Sequence, residues 1–243
     1  MGIKINKLID GNRAVSEAFI LAAGYGRRLL PLTKSIPKPL VEINHKPMIE
    51  YILDALDAIN IKNIYINTHY QHEKLSKFLQ ERRISNIHIS YEKNLLDTGG
   101  GIRNLIDTSA TESILIINCD AILFDDYPYL LGSLQERFNP NKMDALLALS
   151  SPKYAIGYNG NGDFLITKDG LIIDSDSKDK LVFMGISILN TKMLDLVDRE
   201  KFSLVEIWNK LIKKRACHGM VYESVWCHAG NEEAINLANE FCK

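Results

Sequence analysis

Along the first half of the chain, short apolar runs alternate with segments whose apolar positions recur every three to four residues. "AFILA" (18–22), "NIYINT" (63–68), "IHISYE" (87–92) and "SILIINCD" (113–120) read as strands. Over 46–59, Met48, Ile49, Ile52, Leu53, Leu56 and Ile59 fall on one stripe, with Pro47 suited to the first turn, which predicts an amphipathic helix. Further helices are predicted over 71–82 and, shorter and opening on glycines, over 98–106. The run 113–120 is apolar until it ends at Asp120, the pattern of a strand covered on both faces in a parallel sheet. Strand and helix alternating at short intervals imply a right-handed, doubly wound, mainly parallel sheet.

The second half has longer connections. Helices are expected over 127–138, 203–214 and 231–242, and strands over 144–149 and 181–189. Asp169-Gly170 between apolar runs predicts a hairpin within 163–174, and 219–230 reads as one strand running into a loop. The expected fold class is α/β, a Rossmann-like doubly wound, mixed but mainly parallel sheet in a single domain, with residues 1–17 as a polar N-terminal arm.

Composition narrows the function. At 46% hydrophobic residues the chain can bury a core, and a net charge of −1 argues against bulk electrostatic binding of nucleic acid. Cys119, Cys217, Cys227 and Cys242 form no C-x-x-C pair, so they read as reduced thiols in a cytoplasmic protein. No apolar run approaches the roughly 20 residues of a membrane span. His69 and His72 have no third ligand at metal-site spacing, and Trp208 and Trp226 read as core.

The candidate chemistry lies in "FILAAGYGRRLLPLTKSIPKPL" (19–40). In an open α/β sheet the loop after a strand's carboxyl end faces the ligand. Gly24 and Gly26 permit close backbone approach and positive φ, and their N–H groups suit an anion. Arg28 and Lys38 are placed to reach phosphate oxygens. The dinucleotide fingerprint fails because Leu29 stands at its third glycine; the P-loop fails because no glycine precedes the lysine of "TKS".

This stretch resembles the signature of the sugar-1-phosphate nucleotidyltransferases, L-A-A-G-x-G-T-R-L-x-P-L-T followed by P-K-P-L, and departs from it at Arg27, where threonine is usual. "TGGGIRNLI", "IINCD", "FMGISIL" and "WCHAGNEEAINLANE" resemble further family segments, so the likeness runs over about 18–240. The resemblance implies an enzyme that joins a nucleoside triphosphate to a sugar 1-phosphate and releases pyrophosphate, with a nucleotide-binding half over about 18–125 and a sugar-phosphate-binding half over about 126–243. It implies Arg28 and Lys38 as catalytic groups on the phosphates. Leu21, Ala22, Ala23, Gly24, Gly26, Gln71, Gly99 and Gly100 would surround the nucleotide, and His69 shares the strand end of Gln71. Asn118, Gly157 and Gly185 would lie near the sugar phosphate. Asp120 would bind Mg²⁺, or Mn²⁺, with His228 standing where many relatives carry a second aspartate. The usual "E-K-P" lysine is missing, and Lys178 and Lys180 are the substitutes in its region.

Within the family, "DTGGGI" and residues 145–170 most resemble small uridylyltransferases acting on N-acetylmuramate 1-phosphate, which implies a place in peptidoglycan recycling. Mannose-1-phosphate guanylyltransferases, glucose-1-phosphate thymidylyltransferases and cytidylyltransferases acting on phospho-alcohols are the alternatives. An alternative of another class is a regulatory protein that kept the nucleotide pocket and lost catalysis. A monomer or small homo-oligomer is expected, with no nucleic-acid or membrane partner.

Overall fold

The computed structural model describes residues 15–82, 84–107, 110–124, 126–174 and 179–242. From the N-terminus, strand β1 (Glu17–Leu21) leads through a long loop to the two-residue pair β2 (Glu42–Ile43) and β3 (Lys46–Pro47) and helix α1 (Met48–Ala58). Strand–helix alternation then runs through β4 (Asn63–Thr68), α2 (His72–Glu81), β5 (Ile87–Tyr91), α3 (Asp97–Leu105) and β6 (Ser113–Asn118). A short β7 (Ala121–Leu123) precedes α4 (Tyr127–Arg137) and β8 (Ala145–Ser150). The rest comprises β9 (Ala155–Ile156), the hairpin β10 (Leu165–Ile166) and β11 (Ile172–Ile173), β12 (Val182–Asn190), α5 (Leu204–Lys213), β13 (Cys217–Val221), β14 (Trp226–His228) and α6 (Glu232–Phe241).

Seven strands form the central sheet in the order β13-β8-β12-β6-β1-β4-β5. β6, β1, β4 and β5 run parallel, as do β13 and β8, while β12 is antiparallel to both its neighbours. The sheet is therefore mixed and mainly parallel, as expected. Its apolar strands are covered on both sides. Leu115 and Ile117 of β6 pack in one layer with the buried stripe of α1 and with α4, and Ile114 and Ile116 pack in the other with α3 and α5. That is why 113–118 carries no polar alternation. The α1 stripe from Met48 to Ile59 is buried throughout.

Three local readings need correction. Pro47 stands at the N-cap of α1 and in β3, not inside the first helical turn. β6 ends at Asn118, so Asp120 lies in the turn to β7. The segment 219–230 is not one strand: β13 joins the central sheet, and β14 pairs with β7 and β9 in a separate three-stranded sheet. Strands of two or three residues have too few positions to display a period. This small sheet matters because it sets His228 opposite Ala121, beside Asp120. Of the proposed N-terminal arm, residues 1–14 lie outside the described residues, as does Lys178.

Candidate active site

After β1 the chain makes three short 3-10 turns, at Arg27–Leu29, Leu32–Lys34 and Lys38–Leu40. Gly26 is left-handed at φ +64°, and a Cβ there would stand 2.8 Å from Thr33 Cγ2 and 3.1 Å from Lys38 Cβ. Glycine lets the loop close against the stem of Lys38. The Thr33 hydroxyl secures the fold by donating to the Gly26 carbonyl at 2.9 Å. Gly24 differs: a Cβ there would meet nothing within 4 Å. The protein's own packing does not require glycine at 24, and the space above it belongs to a cleft.

That cleft measures about 390 Å³ and is bordered by Leu21, Ala23, Gly24, Asn67, Asn118 and Asp120, with Lys38 among its further walls. The Lys38 ammonium donates to the Asp120 carboxylate, and the two side chains are only 12% and 13% exposed. Burial acts to lower the Lys38 pKa, but the Asp120 charge overcomes it and holds the ammonium above its ordinary value. Burial likewise acts to raise Asp120, yet Lys38 and then His228 reverse this and hold the carboxyl well below its usual range. His228 Nε2 lies 3.6 Å from Asp120 Oδ2. Beside them Cys119 is buried, and desolvation pushes its thiol up to about 12, which removes it as a nucleophile.

A fully charged pair beside an open glycine, at the carboxyl end of parallel strands, is an arrangement for polyphosphate chemistry. Comparison with known proteins decides which. A family profile described as Nucleotidyl transferase matches residues 17–158. N-acetylmuramate alpha-1-phosphate uridylyltransferase of Caulobacter vibrioides is 30% identical over 230 residues, covering 92% of this chain and 95% of that protein. The chain belongs to the sugar-1-phosphate nucleotidyltransferase family. Mannose-1-phosphate guanyltransferase of Gibberella zeae is 29% identical over 88% of this nucleotidyltransferase, which spans 60% of that longer protein. The solved structure of HddC from Yersinia pseudotuberculosis complexed with GMP-PN superposes with a TM-score of 0.71 at 23% identity, covering 94% of this chain and 100% of HddC, and shows the shared fold.

Within this nucleotidyltransferase, the structure brings Leu21, Ala23, Gly24, Lys38, Asn118 and Asp120 to one cleft. Other expected residues lie elsewhere. Ala22 is buried and its N–H already donates to Asn67 Oδ1 at 2.9 Å, so it has no free donor for a nucleotide. Arg28 is exposed with its guanidinium packed over Gly230, 3.2–3.3 Å from where a Cβ would stand, placing it on the loop after His228 and not in the cleft wall. Gln71 caps α2 and donates to the Thr33 carbonyl at 2.8 Å; with His69 it lines a separate hollow of about 620 Å³. Gly99 and Gly100 are packing glycines: added Cβ atoms would stand 2.3 Å from the Phe202 ring and 2.2 Å from the Glu200 carbonyl oxygen. Asp97 and Thr98 border the cleft in their place. Gly157, at φ +78°, has Ala234 of α6 2.2 Å from its Cβ position, a packing constraint. Gly185, at φ +76°, sits in the irregular stretch of β12, with Asn118 3.1 Å from its Cβ position. Lys180 lines another cavity with Asp163, Asp174 and Asn209, away from the cleft.

Two features of the site were not anticipated. Lys201, just before α5, lines the cleft and is a second amine there besides Lys38. Glu92, 2% exposed, accepts from Asn67 Nδ2 at 2.7 Å and from the Leu96 N–H at 2.9 Å. Through Asn67 it holds the Ala22 N–H, and so the start of the glycine loop. The signal was a polar residue at the end of each of two neighbouring strands, Asn67 and Glu92, but only the sheet order makes them partners. Glu92→Gln turns one acceptor toward these N–H groups into a donor. It is expected to cost about 1–3 kcal/mol, read as a melting temperature lower by a few degrees, and to weaken nucleotide binding several-fold. Unchanged melting and unchanged nucleotide titration would remove this role.

Family members use a divalent ion, and the donor set can be tested against one. Among the described residues no three His, Cys, Asp or Glu side chains converge on an ion position. Asp120 offers hard oxygen, and His228 offers a nitrogen ill-suited to Mg²⁺. Mg²⁺ is commonly held by one or two carboxylates with substrate phosphates and water completing the shell. The residues therefore fit an ion shared with the nucleotide, with His228 serving to orient and hold the charge of Asp120.

Proposed function

We propose that the enzyme condenses UTP with N-acetylmuramate 1-phosphate, giving UDP-N-acetylmuramate and pyrophosphate, in the cytoplasm and in cell-wall sugar metabolism. The observation that carries this is the buried Lys38–Asp120 pair in the cleft opened by Gly24. The named activity of the Caulobacter relative supports the choice of base and sugar.

A sugar phosphate oxygen attacks the α-phosphorus, the bond to the bridging oxygen of the β-phosphate breaks, and pyrophosphate leaves with that electron pair. The attacking phosphate is ionised at neutral pH, its second pKa being about 6. No side chain has to remove a proton, and positioning with charge neutralisation suffices. The Lys38 ammonium turns from Asp120 to the phosphates, Gly24 admits them, and Arg28, reaching from beside Gly230, would steady the leaving pyrophosphate. Mg²⁺, or Mn²⁺, held by Asp120 and the phosphates would supply further neutralisation when bound.

The test is a matrix of UTP, GTP, CTP, ATP and dTTP against hexose 1-phosphates and N-acetylmuramate 1-phosphate, read as pyrophosphate release. UTP with N-acetylmuramate 1-phosphate is expected to give the highest kcat/KM. Release confined to GTP with mannose 1-phosphate would replace both substrates. Nucleotide binding with no release from any pair would place the chain with regulatory proteins instead.

A further inference from the structure

A second cavity, about 200 Å³, opens beside the cleft and shares Thr98 and Asn118 with it. Its walls are mostly apolar: Ile116 of β6, Phe183 of β12, and Leu204 and Trp208 of α5. Ser187 also lines it, 1% exposed, with an Oγ that has no hydrogen-bond partner.

The register explains this position. Met184, Ile186 and Ile188 of β12 pack in the layer with α1 and α4, whereas Phe183 and Leu189 pack in the layer with α5. Ser187 alternates with the first set, faces the α5 layer, and stands opposite Ile116 on one side and Leu147 on the other. Its cross-strand neighbours Ile116 and Leu147, and Phe183, Leu204 and Trp208 in the cavity wall, are large apolar residues, so a larger apolar side chain would suit the position. The chain instead places there a small residue whose buried hydroxyl lacks a partner, an arrangement that is destabilising on its own. A hydroxyl in this state is satisfied when a ligand atom reaches it.

The occupant must belong to a molecule already in the cleft, because the cavity joins it at Asn118, close in sequence to Asp120. It must carry an apolar body small enough for the cavity and a polar atom at depth. We propose that the cavity receives the acylamino substituent of the sugar phosphate. The acyl carbonyl oxygen accepts from the Ser187 hydroxyl, and the methyl group packs against Leu204 and Trp208. A plain hexose hydroxyl is too short to reach Ser187 and leaves it unpaired. This inference rests on the nucleotidyl-transfer reading and narrows it to N-acylated amino sugars, setting aside mannose and glucose 1-phosphates.

The experiment compares N-acetylated sugar 1-phosphates with their plain hexose counterparts, N-acetylglucosamine 1-phosphate against glucose 1-phosphate among them, in wild type and two variants at fixed UTP. Wild type is expected to favour the acetylated member by at least about tenfold in kcat/KM. Ser187→Ala, which deletes only the hydroxyl, is expected to cut that preference about tenfold through the sugar-phosphate KM, with the KM for UTP and the plain-hexose kcat/KM unchanged. Ser187→Leu fills the cavity and is expected to reject the acetylated sugar while keeping the plain one. A wild-type preference for plain hexose, an unchanged preference in both variants, or an equal loss for both sugars would overturn the assignment. Absence of pyrophosphate release by wild type with every sugar phosphate would instead defeat the transfer reading itself, and the cavity assignment with it.

Discussion

Lys38→Met is expected to lower turnover by at least about 10²-fold while the enzyme still folds. The side chain is 12% exposed and ion-paired with Asp120. It is a preorganised cation in a cleft that a triphosphate must enter, and methionine keeps its length without its charge. The loss should appear in kcat more than in nucleotide binding, because the charge on the transferring phosphoryl group grows toward the transition state.

Removing the ammonium also leaves Asp120 buried without its main partner, a cost of about 3–5 kcal/mol in comparable pairs. In the wild type the carboxyl is held below its ordinary 3.8, so its stabilisation is present above that value and is lost as pH falls toward the depressed one. The ammonium is held above its ordinary 10.5, so its stabilisation is present below that value and is lost as pH rises past it. The pair therefore keeps its strength across the neutral range. In Lys38→Met the Asp120 pKa rises, since burial now acts with less opposition. The melting-temperature gap between variant and wild type is then widest at about pH 8 and shrinks on acidification toward about pH 4.5, as Asp120 takes up a proton. Wild-type turnover in Lys38→Met, or a gap independent of pH, would remove the pair from the centre of the site.

Asp120→Asn is expected to lower turnover by a similar factor, at least about 10²-fold. The amide keeps the shape and loses the anion, so the response of turnover to added Mg²⁺ should flatten, because a neutral amide is a weak substitute for a carboxylate as a hard ligand. Burial would then act on Lys38 without its main opponent and depress the ammonium. Nucleotide binding measured without metal should survive, since Leu21, Ala23 and Gly24 are untouched. A variant that retains both wild-type turnover and wild-type Mg²⁺ dependence would show that Asp120 is only the structural partner of Lys38.

Much of this molecule could be read from local pattern. The α1 stripe, the doubly apolar β6, the Asp169-Gly170 hairpin and the loop from Gly24 to Lys38 are features whose physical cause lies within a few residues of one another: helical period, burial of both strand faces, turn stereochemistry. What could not be read depends on residues far apart in the chain. The glycines at 99, 100 and 157 drew notice as expected ligand contacts, and the packed structure adds that they give clearance to Phe202, Glu200 and Ala234. Arg28 lies over Gly230, and Ser187 borders a cavity closed by α5. Glu92, Asn67 and Ala22 form one chain of hydrogen bonds because β1, β4 and β5 are neighbours in the sheet. A residue's own periodicity reports that it is buried, whereas its partner is chosen by the order and register of the strands, and that choice is made only when the sheet assembles.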